Sequence, residues 1–435
     1  MKFEDRLKSF ERFISNRKVE KPKDVNDLSL TEYLEGVEVE NIYGKCIKVE
    51  KEFNLDFCHG QILISDGLRY KGETIAKFTC DEKPSKFEPE RTVFLDTETT
   101  GLAGGTGTYP FLVGMGFFEE DKFRIKQYFM RDFNEEKALL YFLQKDLRKF
   151  DSLVTYNGKC FDAPLLTTRF IFNRIDFSFD NFLHLDLLFP CRRLWKLRLK
   201  ECSLSNLEMK VLGVFRLSDI PSYLIPQAYF HYLNSGEIEP LKKILDHNTS
   251  DILSLVGLSI FSAKIIEDPE SAGINDPQDL FSLGRIYSNL GEYQKSIICL
   301  EKAWLNPSDE GFKYKIGQFL AWQYKRIGEW EKAEKIWKAL SSDPGGDELR
   351  PYFSPASGGG SFGQKELSVF YSYEELAKYY EHKLRDYSLA SEMVDKALQL
   401  IASSLGLGDD RKLREMKKRF CYRKERLKRK LLKNI

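Results

Sequence analysis

Asp96 and Glu98 stand two positions apart in the run Phe94-Leu-Asp-Thr-Glu-Thr-Thr-Gly-Leu102, at the end of the apolar stretch Val93-Phe-Leu95. The side chains of a strand alternate with a period of two, so both carboxylates point to one side of it. Two acids side by side repel, and a bound cation removes that penalty; oxygen donors of this kind suit Mg²⁺ or Mn²⁺. A bare D-x-E pair also fits solvated charges at a strand end, because so short a motif recurs by chance.

Two further elements favour the metal reading. In Tyr156-Asn-Gly-Lys-Cys-Phe-Asp-Ala-Pro-Leu-Leu166, Asp162 falls near the first turn of a helix that follows a strand. In His247-Asn-Thr-Ser-Asp251 the histidine lies one helical turn before the acid and faces the same way. Asp186, on a strand-like segment after the second motif, is a candidate for orienting a metal ligand. Gly104-Gly-Thr-Gly107 lacks the Gly-Lys-Ser/Thr ending of a phosphate loop and leads into a strand, so it reads as a turn beside the site.

Around these motifs, residues 1–90 read as an N-terminal accessory segment with short strands such as Gln61-Ile-Leu-Ile-Ser65. From 91 to 268 the pattern is α/β. Strands are expected at 93–95, 111–118, 123–130, 152–155 and 184–187, with helices at 134–149, 161–172, 204–212 and 241–265, the last carrying Asp251. Ser203 to Leu207 with Gly213 reads as a packing helix stopped by glycine. Beyond Pro277 the sequence repeats: Leu283-Gly284, Tyr287, Gly291, Tyr293, Ser296, Leu300 and Ala303 recur as Leu320-Ala321, Tyr324, Gly328, Trp330, Ala333, Trp337 and Leu340. A weaker copy runs through Ala377, Tyr380, Tyr387, Ala390, Val394 and Ala397. This is the small/large pattern of paired helices in tetratricopeptide-like repeats, here over 276–405 with a Gly-rich loop at 341–364.

The whole chain, 435 residues with 42% hydrophobic side chains, has the composition of an ordinary globular protein. Apolar runs such as Pro110 to Met115 are far short of the roughly 20 residues that cross a bilayer, so a soluble cytoplasmic protein with no membrane partner is expected. Eight scattered cysteines without a C-x-x-C pair predict reduced thiols. The net charge of +1 hides a basic tail at 406–435: thirteen residues from Arg411 to Lys433 are Lys or Arg. It reads as a helix packed on the last repeat, a reading compatible with contact to a phosphate backbone.

As a set, the three acidic motifs resemble those of the DEDD exonuclease superfamily. More narrowly, Thr97-Glu-Thr-Thr-Gly-Leu-Ala-Gly-Gly-Thr-Gly-Thr108, Phe111-Leu-Val-Gly114, His184-Leu-Asp-Leu-Leu188, Arg192-Arg-Leu-Trp195, Leu212-Gly213 and His247-Asn248 resemble the YprB-like ribonuclease H-like exonucleases. The likeness covers about residues 40–265 and the repeats. It implies an α/β ribonuclease H-like domain, a mixed sheet flanked by helices, followed by an all-α repeat domain. It implies that Asp96, Glu98, Asp162 and Asp251 hold two Mg²⁺ or Mn²⁺ ions, with His247 near the attacking water, in a 3′→5′ exonuclease acting on nucleic acid. One feature departs from the pattern: three residues separate His247 from Asp251, whereas the His-type members usually have four, so His247 is open to orienting water or phosphate instead of accepting a proton. The repeats are a place for a protein partner. A catalytically inactive scaffold and a structure-selective endonuclease stay open as alternatives.

Overall fold

The computed structural model describes residues 29–79, 87–101, 107–341, 364–405 and 411–433. Most of the glycine-rich turn after Leu102, the loop at 342–363 and the first 28 residues lie outside them. The chain divides after Gly273 into two units.

Between Val37 and Asp186 the described chain lays down nine strands: β1 Val37–Asn41, β2 Gly44–Asn54, β3 Cys58–His59, β4 Ile62–Leu63, β5 Thr92–Thr99, β6 Pro110–Glu119, β7 Lys122–Phe129, β8 Ser152–Thr155 and β9 Leu183–Asp186. Seven form one sheet in the order β1-β2-β7-β6-β5-β8-β9, while β3 and β4 make a small separate ribbon. From β5 to β7 the pairing is antiparallel, and β8 and β9 run parallel to β5. An antiparallel meander followed by two parallel strands is the ribonuclease H-like arrangement. The segment read as accessory supplies β1 and β2, and β2 pairs with β7 from Ile47 to Asn54, so this hairpin widens the same sheet. At that edge β1 carries alternating Glu and Val, with Glu38 paired to Lys45, charges that discourage further strand pairing. Residues 61–65, expected to be extended, instead form the two-residue β4 and a 3₁₀ turn over Ile64–Leu68.

The first unit's longer helices are α1 Gly72–Thr79, α2 Glu136–Leu147, α3 Asp162–Phe172, α4 Leu188–Leu199, α5 Ile225–Ser235 and α6 Glu239–Glu267. Three of them, α1, α4 and α5, go beyond what the sequence pattern predicts. Both α4 and α5 carry proline in the first turn, Pro190 and Pro226, where the missing N–H is harmless and the chain is not broken. β6 is buried along its length up to Phe118, as a central strand covered on both faces must be. Phe111 stacks on Tyr229 of α5 with ring centroids 3.9 Å apart.

Helix α6 is long and apolar enough by length and composition to cross a membrane, yet it is mostly buried within this unit, lying against β5 and β6. Its approach is possible because β6 has glycine where the helix crosses. A Cβ on Gly114 would lie 1.9 Å from Asn248 Oδ1 and 2.6 Å from Ile252 Cδ1.

The second unit is all-helical among its described residues: α7 Pro277–Asn289, α8 Tyr293–Leu305, α9 Glu310–Ile327, α10 Trp330–Ser341, α11 Gln364–Tyr379, α12 Tyr387–Leu405 and α13 Arg411–Lys433. Along this sequence α7 to α10 pack each on the next, as do α11 to α13, and α11 packs on both α9 and α10.

Candidate metal centre

β5 positions the first two acids. Asp96 pairs in register with Gly114, and Glu98 pairs with Leu112 just before a β-bulge at Glu98/Thr99 that turns the strand end. β5 pairs with β8 only from Thr92 to Phe94, so its acidic end runs on past that parallel partner. α6 supplies the facing side chains from one helical stripe.

Glu98, His247 and Asp251 present ligand atoms that all lie within 4.8 Å of one another. His247 Nε2 is 3.6 Å from Asp251 Oδ2 and 4.0 Å from Glu98 Oε1. Asp96 stands outside this trio, held by Asn248, whose Nδ2 donates to Asp96 Oδ2 at 2.7 Å. Gln127 on β7 in turn donates to Asn248 Oδ1 at 2.8 Å, which fixes which end of the amide faces Asp96. Asp162 opens α3, and its Oδ1 accepts the hydroxyl proton of Thr97, the residue between the two β5 acids.

The loop before Asp162 is pinned by Asp186. That buried carboxylate accepts from the backbone N–H groups of Asn157 (2.8 Å), Lys159 (3.1 Å) and Leu188 (3.1 Å). Asn157 sits at φ +64°, a left-handed conformation that asparagine tolerates better than most residues. Asp186 thus positions the segment that carries Asp162 and does not itself join the trio.

Concentrated negative charge in a buried place leaves its mark on proton affinity. Burial first, then the charges of Asp251 and Asp162, lift the Asp96 carboxyl well above its ordinary range. Glu98 is lifted likewise by burial and then by Asp96, Asp251 and Asp162. Asp162 is pushed up to about 6, burial outweighing the Thr97 bond that favours its charged form. Burial opposes a charged imidazole at His247, but Asp251 and Asp219 overcome it and the net shift is upward.

Several residues of this site escape the sequence motifs. Asp219 Oδ1 lies 2.8 Å from His247 Nδ1. Arg216 donates from Nη2 to Asp251 Oδ1 and to Glu208, and from Nη1 to Asp219 Oδ2 at 3.1 Å. Glu208 is pushed up to about 7, by burial first, with Arg216 pulling the other way. For Arg216 and Asp219 the sequence signal was a short polar interruption, Arg216-Leu-Ser-Asp219, between two apolar stretches, and for Glu208 there was none beyond its place in the 204–212 helix.

The donor set suits a hard divalent cation. Arg216 takes Asp251 Oδ1, which leaves Oδ2 on the side of His247 and Glu98, and the trio offers carboxylate oxygens with one imidazole nitrogen.

A family model of the RNase_H superfamily matches residues 93–260, the span from β5 through most of α6 that holds each of these acids. The sequence is 33% identical over 309 residues to the uncharacterized protein YprB of Bacillus subtilis (strain 168), an alignment spanning 70% of this chain and 68% of that protein. Fold, match and acidic cluster together define a ribonuclease H superfamily protein with a nuclease-like domain. Within that class, the chain belongs to the YprB family.

Proposed function

We propose that this protein is a metal-dependent 3′→5′ exonuclease that hydrolyses phosphodiester bonds of single-stranded nucleic acid. The observation that carries the reading is the meeting of Glu98 from β5 with His247 and Asp251 from α6, beside an Asp96 held in place by Asn248. Asp96, Glu98, Asp162 and Asp251 would hold two Mg²⁺ or Mn²⁺ ions. Bound there, such ions make a water molecule acidic enough to attack and neutralise charge on the departing 3′-oxygen. His247 keeps Nδ1 against Asp219, so Nε2 faces the acids and can accept the proton of the attacking water. Arg216 balances Asp251, Asp219 and Glu208, which steadies the far side of the site.

We read the second unit as tetratricopeptide-like repeats that offer a surface to a protein partner. In support, Gly284, Ser296 and Ala303, then Ala321, Ala333 and Leu340, then Ala377, Ala390 and Ala397 recur at matching positions of successive helix pairs, and all are buried.

The test uses oligonucleotides labelled at either end, as DNA and as RNA. The protein should shorten strands from the 3′ end with Mg²⁺ or Mn²⁺, and activity should vanish with EDTA or in Asp96→Asn. Cutting of circular single-stranded DNA would point to an endonuclease, and metal-independent cleavage surviving Asp96→Asn would sink the reading.

A further inference from the structure

The last described helix carries far more positive charge than its own fold uses. α13 buries Leu413, Phe420 and Leu427, spaced by seven, against the second unit. On one flank of that stripe Arg423, Arg426 and Lys430 converge on the buried carboxylate of Glu381, and Arg419 reaches Glu374 at 2.6 Å. On the other flank Lys424 meets Asp395 at 2.6 Å. These contacts explain how so basic a helix docks. They leave Lys417, Lys418, Lys428 and Arg429, all exposed, and no carboxylate partner is found for them among the described residues.

The spacing of these four is regular. Eleven residues are three turns, so Lys417-Lys418 and Lys428-Arg429 fall in line, about 16 Å apart along the axis. Between them, in line with Lys418 and Arg429, stands Tyr422 with 71% of its surface exposed. Two cationic pairs separated by an open aromatic ring match a flexible polyanion whose units carry both a phosphate and a planar base.

We infer that the outer face of α13 is a sequence-independent binding surface for single-stranded nucleic acid, with Lys417, Lys418, Lys428 and Arg429 on phosphates and Tyr422 against a base. The inference rests on the nuclease reading for the choice of nucleic acid over other polyanions. An anionic membrane fits less well. Helices that lie on bilayers insert an apolar face, and here that face is consumed by Leu413, Phe420 and Leu427 packing inward.

The test measures binding of the full-length protein to a fluorescent single-stranded oligonucleotide of mixed sequence in EDTA, where no cleavage competes, across a range of salt. Lys417→Gln/Lys418→Gln/Lys428→Gln/Arg429→Gln should weaken binding by about 10-fold or more at physiological salt and flatten the log K against log salt slope by about 3. Tyr422→Ala should weaken it about 5-fold or more and leave the slope unchanged, a pattern that misfolding of the charge variant cannot imitate. An unaltered slope in the quadruple variant, or tighter binding of the wild type to phosphatidylserine vesicles than to the strand, overturns the inference. Because cleavage with Mn²⁺ is read separately, an intact slope with active cleavage removes this surface alone, and a lost slope with no cleavage removes the nuclease reading alone.

Discussion

Asp219 and His247 form a carboxylate–imidazole pair 2.8 Å long at Nδ1, while the opposite ring nitrogen faces Glu98 and Asp251. A carboxylate at Nδ1 holds the ring proton there and leaves Nε2 as the acceptor. Asp219→Asn should therefore lower kcat by about 10–100-fold with little change in KM, the usual consequence of losing a residue that orients a catalytic group. Asp219 also helps to hold the His247 value up, so without it the acid limb of the pH–rate profile should move to lower pH. A variant with an unmoved profile and unchanged kcat would mean that His247 takes no proton.

Gly114 bears on the same site through packing. Any side chain there meets Asn248 at 1.9 Å and Ile252 at 2.6 Å, so α6 must retreat from β6. Gly114→Ala should destabilise the protein by about 1–3 kcal/mol, read from the urea midpoint. Because Asn248 is the residue that holds Asp96, Mn²⁺ affinity by calorimetry should fall as well. Lost stability with intact metal affinity would show that the helix can shift without disturbing Asp96.

What the sequence disclosed follows from how signals are carried along a chain. Asp96 and Glu98 advertise themselves because a strand end and a two-residue spacing are local facts, as is the helical turn from His247 to Asp251. Asp219 and Arg216 do not. Their partners His247 and Asp251 are 28 and 35 residues away, and nothing in a loop's composition says which helix it will meet. Asn248 was visible as part of His247-Asn248, but its task depends on Gln127, 121 residues distant on β7. The hairpin β1–β2 escaped for the same reason, since its pairing with β7 is non-local. Helices α4 and α5 were hidden by prolines that read as breakers unless their place in the first turn is known.

Asp162 gives a stability test with a definite sign. Its folded pKa, about 6, lies above the ordinary carboxylate value of 3.8, so the native state binds that proton more tightly than the unfolded chain does. Without metal, this contribution is present at low pH and is lost as pH rises through about 6. Asp162→Asn removes the burden. In EDTA the variant should gain on the wild type by about 1–2 kcal/mol between pH 5 and pH 8, because over that interval the folded carboxyl gives up its proton while an unfolded one is already ionised. The constant effect of altering the Thr97 bond cancels in that difference. Mn²⁺ should stabilise the wild type more at pH 8 than at pH 5, because only the ionised acids bind it. A stability difference that does not vary with pH would place the Asp162 carboxylate in an ordinary aqueous setting.

The second unit offers the opposite sign. Burial works against the charge on Glu381, yet hydrogen bonds from Arg426 and Lys430, with the charges of Arg426 and His382, win and hold its carboxyl at about 2. A depressed value means stability that is present above the ordinary 4.5 and lost as pH falls towards 2. Glu381→Gln should loosen α13 at neutral pH by about 1–3 kcal/mol, since three basic groups, Arg426 and Lys430 among them partly screened by solvent, would then crowd a neutral side chain. Hydrogen exchange along Arg411–Lys433 reads this directly, and acidification of the wild type should raise exchange in the same helix. If α13 exchanges at the wild-type rate in Glu381→Gln, then Leu413, Phe420 and Leu427 suffice to dock it, and the converging cations serve some end other than holding the helix in place.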